Sequence, residues 1–176
     1  MRKNCRLVLT ALLLLTACQK TKTQVTILVD GKIISQASIG LIPAEFLSSA
    51  DVTIGAHDRV LYEGSSVSLN SALPVAENYT LTIRRAVPVT INTPDGVKTI
   101  QTSAFNVGEA LKEAGFTLYE ADEIDPPAET PLHSGMAISY RPSKEVTITI
   151  DGKVVHSRSA LSSVGQVLAQ AGVIDF

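Results

Sequence analysis

Val89-Thr90-Ile91-Asn92-Thr93-Pro94-Asp95-Gly96, followed by Asn106-Val107-Gly108-Glu109-Ala110-Leu111-Lys112-Glu113-Ala114-Gly115-Phe116, is the stretch that decides the fold. The first part alternates apolar and polar residues, so Val89 and Ile91 fall on one face of a strand. It runs into Asp95-Gly96, the pair that a tight type I′ hairpin favours because both central residues need φ > 0. Pro94 adds one residue ahead of that turn, which predicts a wider loop. The second part changes period. Val107, Leu111 and Ala114 share one face of a helix. Asn106 and Glu109 stand at the spacing of an N-cap and its N3 partner. Gly115 suits a left-handed stop. The reading is a hairpin followed by a short helix.

The same text occurs twice more. Val25-Thr26-Ile27 leads to Asp30-Gly31, and Val146-Thr147-Ile148 leads to Asp151-Gly152. Val25, Ile27 and Val29 share a face, as do Val146, Ile148 and Ile150. The third copy repeats the helix as Ser163-Val164-Gly165-Gln166-Val167-Leu168-Ala169-Gln170-Ala171-Gly172, with Ser163 and Gln166 at capping positions. The first copy is looser. Ile42-Pro43-Ala44-Glu45-Phe46-Leu47 places Pro43 at the first helical position, and Asp51 stands where the other copies have Gly, predicting a less clean stop. After the helix, Val52-Thr53-Ile54 matches Phe116-Thr117-Leu118 as a short strand, and Asp58 matches Asp122. Closing strands are expected over Thr80 to Arg84 and Ala137 to Arg141. The spacing between the first two copies shortens by seven residues along the unit, so the first carries an insertion between Val60 and Tyr79.

Hairpin, helix, short strand and closing strand define an α+β class. Each copy is a small mixed sheet with one packed helix, and right-handed crossover puts that helix on one face. This is the β-grasp (ubiquitin-like) arrangement in tandem. The expected divisions are a signal peptide with a signal helix over 1–17, a tether over 18–23, and units over 24–85, 86–142 and 143–176. The third unit is incomplete. It reaches Asp175-Phe176 without a counterpart of Asp122 to Arg141, which leaves Val146 to Ile150 with an open edge. The expectation drawn is a fragment or truncated product. The alternative is that another chain supplies the missing strand.

Arg2, Lys3 and Arg6 precede the apolar run Leu7 to Leu15 and then Leu15-Thr16-Ala17-Cys18. Basic residues, a short apolar run and small residues before a cleavage point read as a secretory signal. The run is about half the roughly 20 residues a spanning helix needs. It resembles the lipobox of bacterial lipoproteins, which implies lipid attachment at Cys18 and an extracytoplasmic chain anchored to a bilayer. Cys5 is then removed with the signal, and no thiol remains for a disulfide, a metal or a nucleophile. The formal net charge is −2, and cleavage removes the three cations of the signal to leave −5. Such a chain makes a poor nucleic-acid partner.

No constellation for catalysis stands out. His57, His133 and His156 occur singly, without metal-ligand spacing. Glu120, Asp122, Glu123, Asp125 and Glu129 lack the pattern of a calcium loop and read, with Pro126 and Pro127, as a solvated loop. The serines from Ser157 to Ser163 lack a Gly-x-Ser-x-Gly elbow. The expectation is no catalytic residue, no metal site and no cofactor.

The Val-Thr-Ile…Asp-Gly hairpin, the Val-Gly-x-x-Leu-x-x-Ala-Gly helix, Asp122-x-x-Asp125-Pro126, and Gly135-Met136-x-Ile138 leading to Arg141 complete the pattern. Together they resemble the ubiquitin-like repeats at the N-terminal ends of resuscitation-promoting factors and related cell-wall proteins of Gram-positive-type bacteria. That resemblance implies a spacer or cell-wall-associated module. It implies contact with peptidoglycan or an envelope protein. Two alternatives stand beside it: the N-terminal part of a peptidoglycan-remodelling enzyme whose catalytic domain is absent, and a protein-interaction scaffold.

Overall fold

The structure, a computed structural model, describes residues 22–150 and 152–172. The predicted signal helix, Cys18 and the turn residue Asp151 lie outside the described residues. The chain divides into two compact units. One comprises the described residues up to Thr53 together with Val60–Ile83. The other comprises Ile54–Arg59 and the chain from Arg84 onward.

In the first unit, β1 (Thr23–Val29) and β2 (Lys32–Ser38) form the hairpin, followed by α1 (Pro43–Ser49), β3 (Arg59–Tyr62), β4 (Ser65–Val67) and β5 (Asn78–Arg84). The sheet order is β2-β1-β5-β3-β4. β1 lies between β2 and β5, antiparallel to β2 and parallel to β5, with Ile27 opposite Leu81. Asp30 and Gly31 take φ +51° and +74°, as the type I′ turn requires. Val25, Ile27 and Val29 are buried, as are Phe46 and Leu47 of α1, each such side chain contributing roughly 1.5–3 kcal/mol by leaving water. The seven-residue insertion adds a second hairpin, β3–β4, whose Glu63-Gly64 turn also has both φ values positive.

Asp51 corrects one expectation. It takes φ +56°, the conformation that Gly115 and Gly172 adopt at the ends of their helices. The Val52 N–H donates to the Leu47 carbonyl at 2.9 Å, just as Phe116 donates to Leu111 at 3.1 Å. The helix therefore stops as cleanly as the others, with the left-handed strain carried by an aspartate, one of the few non-glycine residues that tolerates it.

The second unit contains β6 (Val87–Thr93), β7 (Gly96–Thr102), α2 (Val107–Glu113), β8 (Glu123–Asp125) and β9 (Ala137–Arg141). Their order is β7-β6-β9-β8, again with a parallel pair, β6 and β9, at the centre. Val89, Ile91, Val107, Ala110, Leu111 and Ile138 are fully buried in one cluster. Asn106 accepts the Glu109 N–H at 2.9 Å as the predicted N-cap. The Glu109 carboxylate reaches back to the Phe105 N–H, one residue beyond the usual capping-box partner.

Two details differ from the sequence reading. The β6–β7 loop is no wider than the first, since Thr93 pairs with Gly96 and only Pro94 and Asp95 lie between them. The proline ring forbids φ > 0, so the turn moves back by one residue and Gly96 takes φ +137° opposite Thr93. The short strand also forms later than predicted. Phe116-Thr117-Leu118 and Val52-Thr53-Ile54 lie outside the strands, which are β8 and β3. Phe116 and Leu118 serve as packing residues against the core. A turn closed by Asp122 N–H to the Tyr119 carbonyl then aims the chain at the free edge of β9.

The third repeat follows in the same unit: β10 (Lys144–Ile150), β11 (Lys153–Ser159) and α3 (Val164–Gln170). Among the described residues, β10 pairs with β11 alone. No residue of α3 is buried. The fold is thus α+β, built from tandem β-grasp units. Among the described residues no helix is long and apolar enough to cross a membrane.

Candidate functional site

The feature that recurs along the second unit is an aspartate holding the backbone just ahead of a hairpin. The Asp58 Oδ1 accepts the Ala86 N–H at 2.8 Å, and its Oδ2 accepts the Gly55 N–H and an Arg85 guanidinium N–H, each at 2.8 Å. Ala86 immediately precedes β6. The Asp122 Oδ1 accepts both the N–H and the hydroxyl of Ser143 at 2.7 Å. Its Oδ2 accepts the Tyr119 N–H at 2.8 Å and the Tyr140 hydroxyl at 3.0 Å. Ser143 immediately precedes β10. In both places the carboxylate closes its own turn onto the N–H three residues earlier and ties down the residue leading into a hairpin.

Electrostatics follow from that geometry. Burial by itself raises the Asp58 carboxyl, but donors from Ala86, Arg85 and Gly55 outweigh it and hold the group below its ordinary value. Asp122 behaves alike: burial raises it, and the Ser143 hydroxyl and N–H, the Tyr119 N–H and the Tyr140 hydroxyl together lower it. Burial, and then the bond to Asp122, push Tyr140 up to about 12. Arg158 completes the second clasp. It donates to the Ser143 carbonyl at 2.9 Å, pairs with Glu145 at 3.1 Å, and stacks 3.7 Å above the Tyr119 ring centroid.

Around the start of β6 the second unit adds further ties. Arg84 donates to the carbonyls of Ser103 and Ala104, both at 2.8 Å, and lies 4.8 Å from the Phe105 ring centroid. Arg59 bridges Glu109 and Glu113 of α2. The Ser103 hydroxyl donates to the His57 carbonyl at 2.6 Å. These are positioning contacts. They fix backbone and helix, and among the described residues no buried side-chain nitrogen or oxygen lacks a hydrogen-bond partner.

The acidic stretch therefore splits. Glu120, Glu123, Asp125 and Glu129 are exposed, as read. Asp122 departs from the solvated-loop reading, because four donors converge on it. Its correspondence with Asp58 was the available signal, and its meaning appears only once Ser143 and Ala86 are brought beside the two carboxylates. The histidines stay apart. His133 Nδ1 lies 3.1 Å from the Ser134 carbonyl and His156 Nδ1 lies 3.2 Å from the Thr147 hydroxyl. Among the described residues no three His, Cys, Asp or Glu side chains gather to hold a metal ion. A cleft of about 730 Å³ runs beside Asn92–Asp95, Ser139–Pro142 and Ser159–Ser162, with charges of both signs on its walls.

The class that this architecture defines is a tandem ubiquitin-like β-grasp protein. The family described as the G5-linked-Ubiquitin-like domain matches residues 89–129 and 146–174, which are the cores of the second and third repeats. A search of the curated proteins found no match.

Proposed function

We propose that this chain is a non-enzymatic, extracytoplasmic module of the cell envelope, anchored to a bilayer through lipid on Cys18, that spaces or presents a binding surface at the cell wall. The observation that carries the reading is the repeated aspartate clasp. Asp58 and Asp122 direct their hydrogen bonds to backbone ahead of a hairpin, the use expected of repeats that hold a chain in a set course. The lipobox-like Leu15-Thr16-Ala17-Cys18 supports the anchor. A diacyl anchor holds firmly because each buried CH₂ contributes about 0.8 kcal/mol. The similarity to a ubiquitin-like domain described as linked to another domain supports a positioning role. It equally favours the second reading, in which the repeats position a peptidoglycan-remodelling domain.

Two measurements test the proposal. Cells expressing the chain and fed radiolabelled palmitate should label it, and Cys18→Ser should abolish the label. An unlabelled parent chain would end the anchoring claim. The mature chain should also co-sediment with purified cell wall above a control protein; equal sedimentation would remove the wall from the proposal.

A further inference from the structure

The chain enters the second repeat at Arg85-Ala86 and leaves it at Pro142-Ser143, and the two passages keep different contacts. At the entry, Asp58 closes on Ala86, and further ties reach the stretch from Ser103 to Glu113. Arg59 pairs with Glu109 at 3.2 Å and also with Glu113. The Ser103 hydroxyl donates to the His57 carbonyl. Arg84 lies against the Phe105 ring and donates to the Ser103 and Ala104 carbonyls. His57, Asp58, Arg59 and Arg84 belong to the same compact unit as α2, so all of these ties are made within one body.

The exit keeps the clasp and changes every other partner. Asp122 closes on Ser143 as Asp58 does on Ala86. Glu123 stands at the place of Arg59, and Gln166 and Gln170 stand at those of Glu109 and Glu113. One carboxylate with two amides forms no ion pair, and Glu123 pairs instead with Arg141 of its own repeat at 2.9 Å. Arg141 is the counterpart of Arg84, but Ser162 replaces the ring of Phe105. Ala160 replaces Ser103, so that hydroxyl is gone as well. Each of these positions lies within the described residues. Among them no hydrogen bond or ion pair joins α3 to the second repeat. Beyond Ser143 the tie to the second repeat is Arg158 over Tyr119. That ring is 46% exposed, and a cation on an exposed ring is a weak tie.

We infer that Pro142-Ser143 is a hinge, about which the β10–β11 hairpin swings against the second repeat when Arg158 leaves the Tyr119 ring. The clasp fixes the pivot. One oxygen of Asp122 holds both the N–H and the hydroxyl of Ser143, and the strand beyond that point is left to turn. Hinges place their motion in a few residues at the ends of elements, as here between β9 and β10. The hairpin moves as a body because β10 and β11 pair along their whole length, from Lys144 with Ser159 to Ile150 with Lys153. The backbone is thus fixed on entering the second repeat and articulated on leaving it. This inference goes beyond the spacer role and stands whether or not the chain is anchored or touches the wall.

Residual dipolar couplings of the full ¹⁵N-labelled chain, weakly aligned, test it, because they average over the microsecond-to-millisecond motions of hinges. Couplings from β6 to β9 should fit one alignment tensor and those from β10 and β11 another, the second smaller by about twofold. Glu123→Arg combined with Gln166→Glu and Gln170→Glu installs the partners of the entry, all at exposed positions. That variant should bring the two tensors together. Gln166→Glu with Gln170→Glu, which lacks the cation, should leave them apart. A single tensor shared by both repeats in the parent chain would overturn the proposal, and so would a difference that persists in the triple variant. Couplings from β10 and β11 that fit no one tensor would overturn it as well, because the motion would then lie inside the hairpin.

Discussion

Leu111 and Leu168 occupy the same place in two copies of one pattern, yet Leu111 is wholly buried and Leu168 only partly so. The hairpins match in register and both helices are capped by the predicted side chain, Asn106 or Ser163. What separates the two repeats is β9. A hairpin and a short helix present two apolar faces, but those faces become a core only when a strand lies along the open edge. Local capping and turn chemistry form the elements, and the closing strand turns them into a domain. Units this small have little surplus stability.

The sharpest way to break this comparison is to remove the same side chain from both copies. Leu111→Ala should cost about 2–5 kcal/mol, the range for a buried leucine. Leu168→Ala should cost below about 1 kcal/mol, as expected away from a packed core. Urea unfolding followed by circular dichroism reads both. Equal losses would mean that α3 is packed as tightly as α2.

Next in size is the clasp. Asp122→Asn should destabilise by about 1–3 kcal/mol, because the Ser143, Tyr119 and Tyr140 donors lose the carboxylate they share. The pH dependence fixes the sign. Asp58 and Asp122 are held below their ordinary range in the fold. Their stabilisation is complete above the unfolded value of about 4 and is lost as pH falls through the folded value. Tyr140 runs the other way. Its contribution is present below about 10, the unfolded value, and is lost as pH rises toward about 12. Thermal melts from pH 2 to 7 should show a shallower acid loss in Asp122→Asn than in the parent. An identical acid limb would show that the carboxylate contributes nothing.

The smallest effect sharpens a different comparison, between Asp51 and Gly115 at two helix ends. Asp51→Gly should stabilise by about 0.5 kcal/mol, since relief of left-handed strain is partly offset by the greater chain freedom of glycine. Gly115→Asp should destabilise by a similar amount, and a shift of the unfolding midpoint reads either. A destabilised Asp51→Gly would mean that the aspartate makes a contact worth more than its strain.

Much of this architecture was legible in the sequence because it depends on neighbours along the chain. The Asp30-Gly31 turn, the Asn106 and Ser163 caps, and the faces of Val25-x-Ile27 and Val89-x-Ile91 are set by backbone preference and by periods of two and 3.6 residues. The limits of local reading show at Pro94, where the ring displaced a turn that Asp-Gly alone would have centred. They show again at Glu123–Asp125, where acidic residues form a strand because β9 offers an edge. The β3–β4 hairpin, turning at Glu63-Gly64, was read from the sequence only as an insertion between Val60 and Tyr79.

The sequence by itself determined the repeated hairpin and helix and the residues that cap and turn them, since these rest on contacts a few residues apart. Tertiary structure alone decided that Asp58 and Asp122 are clasps, because their partners Ala86 and Ser143 stand more than twenty residues away. It also decided the difference between Leu111 and Leu168. Burial belongs to the whole set of surfaces that meet around a side chain, and the strand that covers α2 is read from another part of the chain.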